Sequence, residues 1–140
     1  MAGKYRTGKS YILNRVLLGK NQGFNVGHTI NACTKGLWMW PELIKLDDKD
    51  CLIIDTEGLG SLEEGESTDL KIFLLALLFS SQLIYNSIGS IDEQAIESLS
   101  LVIQLATLLQ RQDKYDTQEL VNTFPSFMWL LRDFSLKLEN

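Results

Sequence analysis

The chain has 140 residues and a mass of 15.9 kDa, and its 45% apolar content is enough to build one domain with a core of useful size. Thirteen Lys and Arg against eighteen Asp and Glu leave a net charge of −5, so no general basic surface exists to neutralise a phosphate backbone, and nucleic acid is not expected as a main partner. Two cysteines, Cys33 and Cys51, are too few for a disulfide scaffold, and the opening residues lack a basic-then-apolar leader, which points to a reducing, cytoplasmic setting. The longest apolar stretch, Ile72 to Phe79, is far short of the roughly 20 residues a bilayer crossing needs, so membrane association is expected only through regions outside this chain. The lone His28 and the lack of any CxxC argue against a metal held by soft ligands.

Ser10 to Leu18 carries Ile12, Leu13, Val16 and Leu17 at helical spacing, and Gly19 stands where a left-handed C-cap would fall. Lys20 to Thr34 shows no sustained period and reads as a long loop, of the kind that tends to carry function. Leu37 to Trp40 and Leu43 to Leu46 read as strand with an irregularity at Pro41. Cys51 to Ile54 is a continuous apolar run ending in Asp55, the pattern of a strand buried on both faces of a parallel sheet. After the turn residues Gly58 to Gly65, Ser67 or Thr68 is placed to cap a helix reaching about Phe79, apolar almost all round and so expected to be buried. Leu83 to Tyr85 reads as a short strand. Ser90 and Glu93 have capping-box spacing before a helix that carries Ala95, Ile96, Leu99, Val102, Ile103, Ala106 and Leu109. Gln110 to Thr123 is polar and reads as loop or frayed helix, and Phe127 to Leu131 is a second apolar run, ending at Arg132 and Asp133. Strands alternating with helices predict an α/β layered fold.

Gly3-Lys4-Tyr5-Arg6-Thr7-Gly8-Lys9-Ser10 matches the phosphate-binding pattern GxxxxGK[ST] at every fixed position, a coincidence expected by chance on the order of once in a few hundred chains of this length. The glycines let successive backbone N–H groups turn inward around phosphates, and the helix that follows adds its positive end. Lys9 is placed to reach the β and γ phosphates and Ser10 to give a hydroxyl to Mg²⁺. The competing reading, a Gly-rich turn leading into a helix with a solvated lysine, does not account for the whole pattern. Only Met1 and Ala2 precede Gly3, so the strand that normally fixes such a loop is expected to be missing, and the chain reads as a fragment.

Asp55-Thr56-Glu57-Gly58 follows an apolar run where P-loop enzymes place a Mg²⁺-positioning acid and a glycine that senses the γ-phosphate. Alone, DxxG describes a capped strand end equally well. Thr34 lies in the loop between the two motifs, where a threonine can complete the Mg²⁺ shell, although spacing by itself does not single it out.

GKYRTGKS at Gly3–Ser10, TKGLWMW at Thr34–Trp40, DTEGLG at Asp55–Gly60, YNSI at Tyr85–Ile88 and LRDFSL at Leu131–Leu136 together resemble the large GTPase domain of the guanylate-binding proteins, a dynamin-related group with the atlastins as more distant members. The resemblance implies a P-loop NTPase three-layer sandwich, a mostly parallel sheet flanked by helices. Residues 1–140 would form a partial G domain without its guanine cap and C-terminal helical region. It implies Mg²⁺-dependent hydrolysis of GTP, and a nucleotide-dependent homodimer through the G domain. Arg6 matches an internal arginine finger, Thr34 the switch I threonine, Asp55 the acid that holds Mg²⁺ through water, and Glu57 an acid in the water network near the γ-phosphate. Gly3, Tyr5, Thr7, Gly8, Tyr11 and Gly58 fall among the nucleotide contacts.

Arg132-Asp133 matches the family's base-reading motif, replacing the NKxD of small GTPases; without the resemblance it would read as a surface ion pair or a strand-end turn. A carboxylate at Asp133 can accept from guanine N1–H and the exocyclic amine, a donor pair that adenine lacks. The chain departs from the family at Ala32 and Cys33, where interferon-inducible members usually carry serine then histidine, and losing the serine hydroxyl removes a contact to the attacking water. This leaves two alternatives to hydrolysis: a GTP-binding assembly switch with weak turnover, or a non-functional fragment. Trp38, Trp40 and Trp129 read as packing aromatics, His28 as a loop side chain, and Glu63, Glu64, Glu66 and Asp69 as a solvated loop and helix start.

Overall fold

A computed structural model of the chain describes residues 1–27, 34–60, 66–111 and 124–135. Its centre is β6 (Gln82–Ile88), flanked by β1 (Ala2–Gly3) and β7 (Ser126–Arg132) in a three-stranded sheet of order β1-β6-β7, parallel throughout. The expected absence of a first strand is thereby corrected: Ala2 pairs with Tyr85 and Gly3 with Asn86, and two small buried residues suffice to seat the loop that follows. Gly3 adopts φ 137°, and a Cβ there would lie 2.1 Å from the Asn86 carbonyl oxygen, so only glycine fits this approach.

The remaining strands are antiparallel pairs. β2 (Leu37–Met39) pairs with β5 (Ile54–Thr56), and β3 (Ile44–Leu46) forms a hairpin with β4 (Lys49–Cys51) through a turn at Asp47, whose φ is 53°. Cys51 to Ile54 is therefore not one strand of a parallel sheet. Cys51 closes the hairpin, Leu52 is 47% exposed, and Ile54 opens β5. A short apolar run signals burial but specifies neither strand direction nor continuity.

The first helix begins as α1 (Lys9–Ile12) and continues as a π-helical segment over Leu13–Leu17. It stops as expected at Gly19 (φ 61°), with Lys20 N–H donating to the Asn14 carbonyl at 2.8 Å. The wider turn faces Asn14 inward, where its side-chain amide exchanges two 2.8 Å hydrogen bonds with the Phe24 backbone and pins the start of the long loop. α2 (Glu66–Phe79) and α3 (Glu93–Arg111) pack against each other and supply the core with Phe73, Ala76, Leu77, Ala95, Val102 and Ala106. Leu83 and Tyr85 complete it from β6, with the Tyr85 ring held between Phe73 and Trp129.

Two expectations about these helices change. α2 is apolar all round but buried on one face only, since a single layer of core lies beneath it; Leu75, Leu78 and Phe79 are exposed. α3 is capped by Asp92, whose Oδ1 accepts from Ala95 N–H at 2.8 Å, rather than by Ser90. Nor is Asp69 solvated: it is buried in α2 and its Oδ2 accepts from Gly60 N–H. No helix among the described residues is long and apolar enough to cross a membrane.

Candidate nucleotide site

The loop between β1 and α1 turns through two left-handed residues, Arg6 (φ 58°) and Gly8 (φ 77°), which curl its backbone back on itself. It is clamped from behind. Tyr5 N–H donates to the Leu59 carbonyl at 3.0 Å, Leu59 N–H to the Gly3 carbonyl at 3.1 Å, and the Thr7 hydroxyl to the Lys4 carbonyl at 2.8 Å. Gly58 permits this contact, because a Cβ there would stand 2.0 Å from Tyr5 Cα. The Lys9 ammonium folds under the loop and donates to the carbonyls of Lys4 (2.9 Å) and Gly3 (3.3 Å). Burial pushes its pKa down to about 8 against the opposing pull of Asp55 and Glu57.

Directly after Lys9, Ser10 meets the end of β5. Its hydroxyl donates to Asp55 Oδ2 at 2.6 Å and lies 3.2 Å from the Thr34 hydroxyl, which itself reaches Asp55 Oδ2 at 3.4 Å. Asp55 is fully buried, and its Oδ1 has no partner among the described residues. Burial raises the Asp55 pKa, while the Ser10 hydrogen bond and Lys9 oppose the rise. Two hydroxyls and one carboxylate with an unused buried oxygen form an all-oxygen donor set, which suits a hard divalent cation that keeps several of its waters. Among the described residues no group of three or more His, Cys, Asp or Glu side chains offers a metal site of another kind.

Above this cluster opens a cleft walled by Tyr5, Arg6, Gly8, Lys9, Ser10, Tyr11, Thr34 and Gly58, with Asn25 to Gly27 closing one side. Asp55 faces an adjoining smaller pocket with Phe24 and Trp38. Because β1, β6 and β7 run parallel, Asp133, which follows β7 in a left-handed conformation (φ 54°), sits at the same carboxyl edge of the sheet as the loop after β1.

A family model described as "Guanylate-binding protein, N-terminal domain" matches residues 1–140. The chain is 45% identical to guanylate-binding protein 3 of Mus musculus over 99% of its own length, and 44% identical to the human protein of the same name. It is 45% identical to human guanylate-binding protein 7, again over 99% of the chain. The chain belongs to the guanylate-binding protein family. It spans about a quarter of those relatives, covering 24%, 24% and 23% of their lengths.

Within this guanylate-binding protein domain, the motif residues fall into three places. Tyr5, Arg6, Gly8, Lys9, Ser10, Tyr11, Thr34 and Gly58 line the cleft; Arg6 is exposed there and Tyr11 lies half-open beneath the Arg15 guanidinium. Gly3, Thr7 and Glu57 sit behind it. Glu57 is buried and grips the backbone after Thr34, its carboxylate accepting from Gly36 N–H and its own N–H donating to the Gly36 carbonyl, both at 2.8 Å. Arg132 and Asp133 lie outside the cleft wall; Arg132 donates to the Thr7 carbonyl, and Asp133 is exposed. His28, Ala32 and Cys33 lie outside the described residues.

Trp40 packs against Phe24 with the rings tilted 59°, with the Lys20 ammonium 4.6 Å from its ring centre, and Trp129 donates to the Ser87 hydroxyl; both are packing aromatics, whereas Trp38 is 52% exposed. Sequence reasoning gave Asn86 no role, yet it is fully buried and its amide donates to the Thr7 carbonyl at 2.9 Å. The available signal was an asparagine inside the otherwise apolar Leu83-Ile84-Tyr85 strand. Lys4 stands at a variable position of the loop motif, which signals no role for it; it pairs with Asp92 at 2.6 Å and so ties the loop to the cap of α3.

Proposed function

We propose that the chain binds GTP and hydrolyses its γ-phosphate in a Mg²⁺-dependent reaction. The observation that carries this reading is the convergence of Lys9 with the Ser10, Thr34 and Asp55 oxygens beneath one open cleft at the carboxyl edge of the parallel sheet. Family membership supports the same reading. Lys9 exchanges its carbonyl partners in the loop for β- and γ-phosphate oxygens, a stronger pairing for a buried ammonium. Ser10, Thr34 and Asp55 would hold Mg²⁺, which when bound supplies positive charge at the phosphate oxygens. Arg6, exposed at the rim of the cleft, directs its guanidinium to the charge that develops on the transferring phosphoryl group, so no separate activating protein is needed for that role. Glu57 fixes the backbone that follows Thr34 and thereby holds the threonine hydroxyl against Asp55. Asp133 selects guanine by accepting from N1–H and the exocyclic amine.

The nucleotide partners are GTP and GDP, in a cytoplasmic setting, and association is a nucleotide-dependent homodimer through this domain. In the full chain, Lys9→Ala should abolish Mg²⁺·GTP binding, whereas Arg6→Ala should keep affinity and lower single-turnover hydrolysis by about a thousandfold. Unchanged hydrolysis in Arg6→Ala would remove the finger. Unchanged binding in Lys9→Ala would remove the site.

A further inference from the structure

We infer that Asn86 and Arg132 are positioning residues that clamp the Thr7 carbonyl from behind the loop and so aim the Gly8 N–H into the cleft; this rests on the reading of the loop as a phosphate cradle. Both side chains donate to the same oxygen, Asn86 from within β6 at 2.9 Å and Arg132 from the end of β7. In a planar trans peptide the C=O and the following N–H point in opposite directions, so fixing the Thr7 carbonyl outward fixes the Gly8 N–H inward. Gly8 lines the cleft, and the Arg132 guanidinium lies directly behind it, 3.3 Å from where a Gly8 Cβ would be.

Stability alone does not account for the arrangement. Asn86 is fully buried, and among the described residues neither its Oδ1 nor the buried Arg132 Nε has a partner. An apolar side chain of similar shape at Asn86 removes the unpartnered Oδ1 from the core and leaves the Thr7 carbonyl still bonded to Arg132, so no group is newly orphaned. What an apolar side chain cannot supply is the second donor to Thr7. The clamp also joins β7, whose end carries Asp133, to the loop that would hold the phosphates.

The test uses Asn86→Leu in the full chain, a near-isosteric change that removes the donor, with Arg132→Met and the double variant alongside. Thermal unfolding of Asn86→Leu should equal or exceed that of the parent. Amide exchange in the ligand-free protein should accelerate at the hydrogen-bonded amides that bracket the loop, Tyr5 (to the Leu59 carbonyl) and Ile12 (to the Gly8 carbonyl), and Mg²⁺·GTP affinity should fall about tenfold. The double variant leaves the Thr7 carbonyl with neither donor and should lose more than the product of the two single losses. Unchanged exchange at Tyr5 and Ile12 overturns the clamp, whatever the parent does with GTP. Faster exchange there with unaltered GTP affinity overturns its bearing on the nucleotide. Failure of the parent to bind GTP refutes the proposed function instead, and the exchange measurement still decides the clamp. If Asn86→Leu does not fold, Arg132→Lys, which keeps the charge but loses the fork, gives the same exchange readout.

Discussion

Gly58→Ala is expected to be severely destabilising through steric overlap alone. The added Cβ would stand 2.0 Å from Tyr5 Cα, 2.4 Å from its nitrogen and 2.5 Å from its Cβ, where ordinary contact begins at 3.4 Å. Backbone rather than a side-chain tip is struck, so the two segments must part by more than an ångström. That movement breaks Tyr5 N–H to Leu59 O and Leu59 N–H to Gly3 O, each worth about 1 kcal/mol, on top of overpacking strain of about 1–3 kcal/mol. A loss of about 3–5 kcal/mol follows, a large share of the 5–15 kcal/mol that typically holds a domain folded. Gly60→Ala is the control: Gly60 has φ 75° but nothing within 4 Å of a Cβ, so its cost is the left-handed backbone alone, about 1–2 kcal/mol. Urea unfolding of the three proteins measures both. If Gly58→Ala loses less than Gly60→Ala, the clamp between the loop after β1 and the segment after β5 is wrong. A severe loss also means that Gly58→Ala cannot be used to isolate a γ-phosphate sensor, because the loop itself would have moved.

Three further outcomes are expected. The Lys9 pKa sits near 8 in the free protein, and an anionic ligand raises it, so GTP affinity should be full below pH 8 and fall by up to about tenfold per unit above it; a flat profile in a titration series contradicts the assignment. Asp55→Asn removes a buried carboxylate whose pKa burial raises, so without Mg²⁺ thermal stability at neutral pH should hold or rise, while the Mg²⁺ dependence of GTP affinity disappears; a retained dependence would exclude Asp55 from the cation site. Asp92→Ala should cost about 1 kcal/mol through loss of the α3 cap, whereas Lys4→Ala, which breaks only a partly exposed ion pair, should cost less, and the reverse order in urea would refute the capping role. Because Lys4 holds the Asp92 pKa down, the ion pair's contribution should vanish as pH falls through the lowered carboxylate range.

What the sequence made legible was chemistry tied to fixed spacing. Gly8, Lys9, Ser10, Thr34 and Gly58 were all named from motifs, and the fold lines them up along one cleft with Asp55 bonded beneath. The short first helix and its Gly19 stop were equally readable, because left-handed C-caps have a local cause. Strand direction was not readable: the apolar run from Cys51 to Ile54 says nothing of which strand lies beside it, and its partners are β2 and β3, antiparallel on both counts. The exposed side of α2 was hidden for a related reason, since periodicity locates a buried face only when the other face is polar. Asn86 and Asp69 act through partners 79 and 9 residues away along the chain, Thr7 and Gly60, and no local pattern announces such pairings.

The central claim is that this cleft holds guanine nucleotide by its phosphates and its base together. Calorimetric titration of the full chain with GTP and with ATP, each with Mg²⁺, tests it most directly. GTP should bind at least about a hundredfold more tightly than ATP, with the preference lost in Asp133→Asn. Equal affinity for the two nucleotides, or binding of neither, would contradict it.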